Sequence, residues 1–588
     1  MRICPAILFL MMITATVTLA QEATWLPRYD ANNSGVTAAT IGLPAALAWK
    51  YVPENAATED PVATPAVGEE MIYVPVGDTI YALDRVTGSL VWEQSAGDVI
   101  YSSPALAGGI LYFGSRDNNL WAVDASDGSV EWRYPTGGSV DCPPTIVGNI
   151  CYFGSDDNRL TALNLETQQP LWTFEASGDI KAPPLVYRDV IVIGSMDGRL
   201  YCLNSSGRPI WSNSIDAGTF VASPVGERTK VIYASGRDLN ARDLYSGRLG
   251  VWRRPFRAAD LIVGSPCVLG REVYIATRDG SVYSIDANSG NPLWRWPAEG
   301  AADPITSSPV IAGDKLVFRA GERDLIAISL DGRRMLWKYT LPQVEERAQE
   351  AAGLPGDVFM GDPGMMPEEM PAEEPIGVDE PGGTTTRPAR RVEFEELVSP
   401  SVAVVNDAVY VIGDDAIAYG FHSDAPDNVP PTIAEPVLEV PGAGRQRVEF
   451  TPSLADAEEF AERFADEIAI PGTPPIFLSL LLVDEGSGVD PDSVSVTVNG
   501  EAAGFTYDPR EGLIWYIYEP RGAAANLANG VKRIMFEASD WRGNRQTKVV
   551  SFTVDNKLKP PAPPRPPAPT FDPGMFPGED MPPGAFMP

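Results

Sequence analysis

From Ala66 onward the chain alternates short apolar runs with turn residues, and the alternation returns at intervals of about 40 residues. After Pro104 comes an Ala-Leu-Ala run and a turn at Gly108-Gly109. The run Ile110 to Gly114, a turn at 116–119, Leu120 to Asp124, a turn at 126–128 and Ser129 to Arg133 then follow. Runs this short, rich in β-branched and aromatic residues and divided by Gly, Asp and Asn, predict four antiparallel strands joined by tight turns. No 3.6-residue period competes with that reading. A proline opens each copy: Pro65, Pro104, Pro144, Pro184, Pro224, Pro266, Pro309 and Pro400. Eight four-stranded meanders in tandem predict an eight-bladed β-propeller, an all-β fold whose radial packing leaves few sheet edges open.

The clearest copy of the third turn is the stretch Ala82-Leu83-Asp84 through Gly88 to Trp92. A tryptophan on the fourth strand suits the gap between neighbouring blades. The last copy, from Pro400 to Tyr419, supplies three strands and no terminal tryptophan, while Leu47 to Tyr51 is a fourth strand without a copy of its own. The N-terminal strand is therefore expected to close the ring. Eight tryptophans then serve eight blades: Trp49, Trp92, Trp132, Trp172, Trp211, Trp252, Trp294 and Trp337.

The pattern Ala-x-Asp-x-x-x-Gly-x-x-x-Trp, preceded by Ser-Pro and Tyr-x-Gly-Ser, resembles the PQQ-type propeller repeat. Quinoprotein dehydrogenases and the BamB scaffold of outer-membrane barrel assembly share that repeat. The resemblance covers residues 44–422 and implies the propeller fold; for function it implies either an interaction scaffold or a PQQ- and calcium-dependent dehydrogenase. Enzymes of the alcohol-dehydrogenase kind in that family place adjacent cysteines over the cofactor and hold calcium with a Glu/Asn/Asp set near the axis. No two cysteines are adjacent in this sequence.

Outside the repeats the composition changes. Residues 1–20 carry Arg2, an apolar run from Ile7 to Ile13 and a small-residue end at Ala20, the pattern of a signal peptide. Residues 343–395 are rich in Pro, Gly, Glu and Met and are expected to be a disordered insertion within the propeller, opened by a short helix from Glu345 to Ala352. Residues 431–556 hold strand-like runs. Words such as Asp484-Glu485-Gly486-Ser487-Gly488 and Ser539-Asp540-Trp541-Arg542-Gly543-Asn544 resemble bacterial immunoglobulin-like modules, which implies a β-sandwich. An acidic helix is expected at 453–468, and residues 557–588 read as a disordered Pro- and Met-rich tail.

Charge and residue inventory then narrow the chemistry. A net charge of -34 leaves no basic footprint for nucleic acid. The chain has one histidine, His422, expected on the surface at the end of a strand, so histidine-based triads and zinc sites have a single candidate. Cys142, Cys151, Cys202 and Cys267 are expected to be buried thiols, and no cysteine after the leader offers a lipid anchor. No apolar run is long enough for a transmembrane helix.

An acid recurs at the second-to-third-strand hairpin: Asp78, Asp117, Asp157, Asp197, Asp238, Asp279, Asp324 and Asp415. Asp at tight turns is first a structural preference; a candidate interaction rim is the functional alternative. The sequence reading is thus an exported, periplasmic or secreted, non-catalytic scaffold for an envelope or extracellular protein. Neither PQQ nor another cofactor or metal is expected. The alternatives are a PQQ- and calcium-dependent quinoprotein dehydrogenase and a surface adhesion or polymer-binding protein.

Overall fold

In residues 105–135 the strands Ala105–Ala107, Ile110–Ser115, Asn119–Asp124 and Val130–Pro135 pair in chain order as an antiparallel meander. The second and third strands are almost wholly buried, whereas the fourth is mostly exposed. The sheet therefore buries both faces near its middle and shows water its last edge. Eight sheets of this order lie among the described residues of the repeat region; we number them as blades from blade 1 at residues 66–95 to blade 8 at 403–422. Their first strands contact one another in succession, and the first strand of blade 8 returns to that of blade 1. In this computed structural model, residues 25–558 are described apart from 343–399, 450–468 and shorter stretches at 55–56, 58–59, 216–221, 298–302, 322, 333, 406, 435–436, 441–445, 471, 473–475, 510–511 and 519–525.

The fourth strand of blade 8 is Ala46–Tyr51, paired antiparallel to Ala418–His422. Neighbouring blades are locked by the repeat turn. Trp49, Trp92, Trp211 and Trp252 donate their indole N–H to the carbonyls of Arg85, Ala125, Leu244 and Ala287 in the next blade, at 2.9–3.1 Å. The same rings lie against glycines: a Cβ built on Gly88 or Gly128 would fall 2.5 Å from Trp49 or Trp92. Both glycines also have positive φ, 69° and 75°. Glycine in the Asp-x-x-x-Gly turn thus serves its own turn and its neighbour's tryptophan.

Trp337 of blade 7 has no such turn ahead of it, because the fourth strand of blade 8 comes from the other end of the repeat region. Its N–H goes instead to Ser487 O at 3.0 Å, and Leu47 N donates to Gly486 O at 3.1 Å. The compact unit that contains the ring accordingly spans Met1–Asn428 and takes in Glu485–Gly488.

Two departures from the repeat pattern follow from backbone chemistry. In blade 5 the fourth strand is only Phe256–Arg257, so Trp252 precedes it rather than sitting within it. Gly250, with φ 102°, turns the chain away, and Pro255 has no N–H for the ladder. The second departure is the segment before the array: residues 25–37 run along the innermost strands of the ring, and Val36–Thr37 pairs parallel to Val310–Ala312.

The second compact unit, Val429–Asp484 with Val489–Pro588, holds two sheets. Ile476–Val483 is central to one, and Gly530–Ser539 with Arg545–Val554 form the long hairpin of the other. Strict alternation in Ile476–Val483 puts Ile476, Leu478, Leu480 and Leu482 into a shared core with Phe536, Val550 and Phe552. The leader, the insertion, the helix at 453–468 and all but the first two residues of the tail lie outside the described residues.

Candidate functional site

The loops entering the first strands of blades 2, 3 and 4 place Tyr101, Asp141 and Lys181 at one repeat position, three residues before Pro104, Pro144 and Pro184. Lys181 Nζ bridges Asp141 Oδ2 at 2.7 Å and Asp156 Oδ2 at 3.0 Å. Arg116 approaches Asp141 with two nitrogens at 3.3 Å and lies 4.1 Å over the Tyr101 ring. The Asp141 side chain is wholly buried and Lys181 nearly so. Burial works against the Lys181 ammonium, but Asp141 and Asp156 outweigh it and raise its pKa. Asp156 is raised as well, by burial first, with the lysine offsetting only part. Two cations and two carboxylates offset one another in the cluster, and Asp156 Oδ1 is buried there without a hydrogen-bond partner.

The eight hairpin acids are used locally. At Asp157 and Asp197 one oxygen caps the hairpin, accepting from Arg159 N at 3.0 Å and Arg199 N at 2.9 Å. The other oxygen accepts from the inter-blade loop, from Gly137 N at 3.0 Å and Ser177 N at 3.2 Å. Asp117 holds Asn119 N and Trp121 Nε1, both at 3.0 Å, and Asp415 caps Ile417 N at 3.0 Å. Asp238 pairs with Arg257 at 3.2 Å and Asp279 with Arg295 at 3.8 Å. Asp324 is buried against Lys338 Nζ at 2.6 Å. Asp78 binds Thr79 and Ser95 and lines a cleft of about 360 Å³ with Asp60 and Glu93.

One feature escaped the repeat reading. Residues 237–278 contain eight arginines against four acids, a basic stretch in a chain of net charge -34. Arg248, Arg253, Arg254 and Arg257 are exposed on the outer edge of blade 5, beside exposed Tyr245 and Leu249. Arg248, Arg253 and Arg254 have no ion pair among the described residues, and Arg257 has only its exposed pair with Asp238. The local inversion of charge was the available signal; alignment on prolines and tryptophans passed over it.

The four cysteines are free and buried. Burial pushes the Cys142 and Cys202 thiols up to about 12 and raises Cys151 and Cys267 also, so these sulfurs are packing groups rather than nucleophiles. His422 ends its strand half-buried rather than on the open surface, with Nε2 3.4 Å from the Tyr410 hydroxyl. Burial holds its pKa below the ordinary histidine value.

A closed succession of four-stranded meanders, locked by tryptophan on glycine, defines a β-propeller of PQQ-type repeats. The family described as "Outer membrane protein assembly factor BamB" matches residues 45–167, 76–241 and 171–362, together more than half of the chain, and the chain belongs to that family. Among solved structures, BamB from Moraxella catarrhalis is similar at 15% identity, covering 66% of this chain and 99% of that one, with a TM-score of 0.45. A computationally designed protein, Ika8, is similar at 12% identity over 66% and 99% with a TM-score of 0.47. A europium-containing methanol dehydrogenase is similar at 13% identity over 54% and 86% with a TM-score of 0.46. No curated protein matches the sequence. Among the described residues no helix is long and apolar enough to cross a membrane.

The carboxylates gathered at the inner loops, Asp141 and Asp156, already hold the Lys181 ammonium between them, and Arg116 covers the other oxygen of Asp141. Cys142, Cys151, Cys202 and Cys267 are buried free thiols, with Cys142 close enough to Cys151 to act on it electrostatically.

Proposed function

We propose that this protein is an exported, non-catalytic propeller that docks other proteins in the cell envelope, an assembly scaffold in the sense of its family's description. The observation that carries the reading is the outer edge of blade 5, where Arg248, Arg253 and Arg254 stand exposed and unpaired on a strongly acidic chain. Exposed guanidinium groups match carboxylates in fork geometry, and a basic patch on an acidic body selects acidic partner surfaces by charge complementarity. The inner charge cluster supports the same reading, since Asp141 and Asp156 share the Lys181 ammonium. The eight hairpin aspartates form a second contact rim of lesser weight, because their oxygens already serve the hairpins.

The test compares the wild type with an Arg253→Glu, Arg254→Glu, Arg257→Glu variant in quantitative cross-linking capture from envelope extracts at low and high salt. The variant should lose the salt-sensitive partners while melting at the wild-type temperature. Equal capture by both proteins removes the blade 5 reading. A parallel incubation with PQQ and Ca²⁺ that produced a cofactor absorption band and dye-linked alcohol oxidation would replace the scaffold with a quinoprotein enzyme.

A further inference from the structure

The first strand of each blade is an edge strand facing the axis, so its main chain needs partners from something other than the ring. Residues 25–37 supply them. Trp25 and Leu106 exchange both main-chain bonds, at 2.7 and 2.8 Å. Val186 N donates to Ala31 O at 2.8 Å, and Val268 N and Ile311 N donate to Ser34 O and Gly35 O, both at 2.9 Å. One short segment thereby serves the inner strands of blades 2, 4, 6 and 7.

Side chains read the remainder. Asn32 mimics a strand residue, accepting from Gly226 N at 3.0 Å and donating to Gly226 O at 2.9 Å. Asn33 donates to Pro183 O and Pro224 O, both at 3.3 Å. The Arg28 guanidinium donates to Pro266 O at 3.1 Å and Pro309 O at 3.3 Å. Arg28 is 5% exposed and Asn33 2%. Pro224, Pro266 and Pro309 open their blades and Pro183 directly precedes the opening Pro184, so these acceptors form a collar repeated around the axis.

We infer that the axial channel is a peptide-binding site, filled in cis by residues 25–37. Its ligand class is a peptide folded through two tight turns, Leu26 to Tyr29 and Asp30 to Asn33, that carries an arginine followed four and five residues later by asparagines, as in Arg28, Asn32 and Asn33. The recognition combines these directional bonds with burial of Trp25 and Leu26, so it belongs to the segment and not to its covalent link with the ring. That link passes through Ala38 and Thr40, both exposed. The site is separate from the outer edge of blade 5 and stands independently of the scaffold reading.

The experiment uses the full chain with a protease recognition sequence inserted after Ala38. After cleavage of the folded protein, the N-terminal fragment should remain with the ring through gel filtration. Excess fluorescent synthetic peptide of residues 22–38 should then replace it. A peptide carrying Arg28→Ala and Asn33→Ala should compete about tenfold or more weakly, because buried hydrogen bonds from a charged donor are lost. Failure of the nicked ring to take up the labelled peptide overturns the inference. Unfolding on cleavage overturns it too, since the segment would then be a strut. As a second measurement, an uncleaved chain carrying Asn33→Ala should gain uptake of the wild-type peptide over the unmodified protein; equal uptake by both also counts against the site.

Discussion

Blade 2 holds each of its two arginines over an aromatic ring, whereas blade 5 leaves three exposed without an ion pair. In blade 2, Arg116 is held by buried Asp141 and by the Tyr101 ring, and Arg133 lies 3.7 Å over the Trp121 ring. In blade 5, Arg248, Arg253 and Arg254 project from an edge whose fourth strand has shrunk to Phe256–Arg257. The blade 2 strand runs from Val130 to Pro135 and pairs along its length except for one bulge. The difference shows how one repeat serves two ends. Where turn glycine and tryptophan keep their spacing, the outer strand pairs with the sheet, although its side chains stay mostly exposed. In blade 5 a second positive-φ glycine and a proline break the ladder, and the released segment presents its charges.

The largest contrast should come from the glycines. Gly128→Val would press a branched side chain against Trp92 and hold it at a positive φ, costing on the order of 4 kcal/mol from overpacking and backbone strain. Gly250→Ala meets nothing within 4 Å and pays only for its φ of 102°, about 1 kcal/mol. Urea unfolding followed by tryptophan fluorescence reads both. Equal losses at the two positions would mean that the tryptophan lock contributes little.

Arg116→Ala comes next. It removes two nitrogens from a wholly buried carboxylate and a cation from the Tyr101 face, while Lys181 keeps Asp141 partly compensated. A loss of about 2 kcal/mol is expected, in the range for hydrogen bonds to charged groups. A loss below about 0.5 kcal/mol would show that Lys181 alone satisfies the cluster.

The contrast between these blades was partly visible along the chain. Trp92 and Gly128 stand on a strict period, and a period survives in sequence because every blade imposes the same packing demand. Gly250 and Pro255 were also readable as breakers, but a tryptophan in the expected place, Trp252, concealed the broken strand. Asp141 and Lys181 share a position when aligned on Pro144 and Pro184, yet their union depends on Asp156 and Arg116 from hairpins, which no local pattern brings together. Residues 25–37 left almost no trace. Their partners are main-chain carbonyls and amides of many blades, and main-chain groups carry no residue identity that an analysis of spacing could match.

The smallest expected effect bears hardest on function. Arg253→Ala and Arg254→Ala remove exposed side chains without an ion pair, so each should change stability by less than about 0.5 kcal/mol. Arg257→Ala breaks an exposed pair with Asp238, worth at most about 1 kcal/mol and less in salt. Blade 3 offers an internal control. There Arg159 and Glu175 occupy the same cross-strand position with the charges reversed, 4.0 Å apart and exposed. Arg159→Ala and Arg257→Ala should therefore match in thermal melts at low salt and converge on wild type at high salt. A much larger loss for Arg257→Ala would make the blade 5 arginines structural and leave the docking edge without its argument. Matching small losses would leave the basic edge free of any folding role, and so available for a partner's carboxylates.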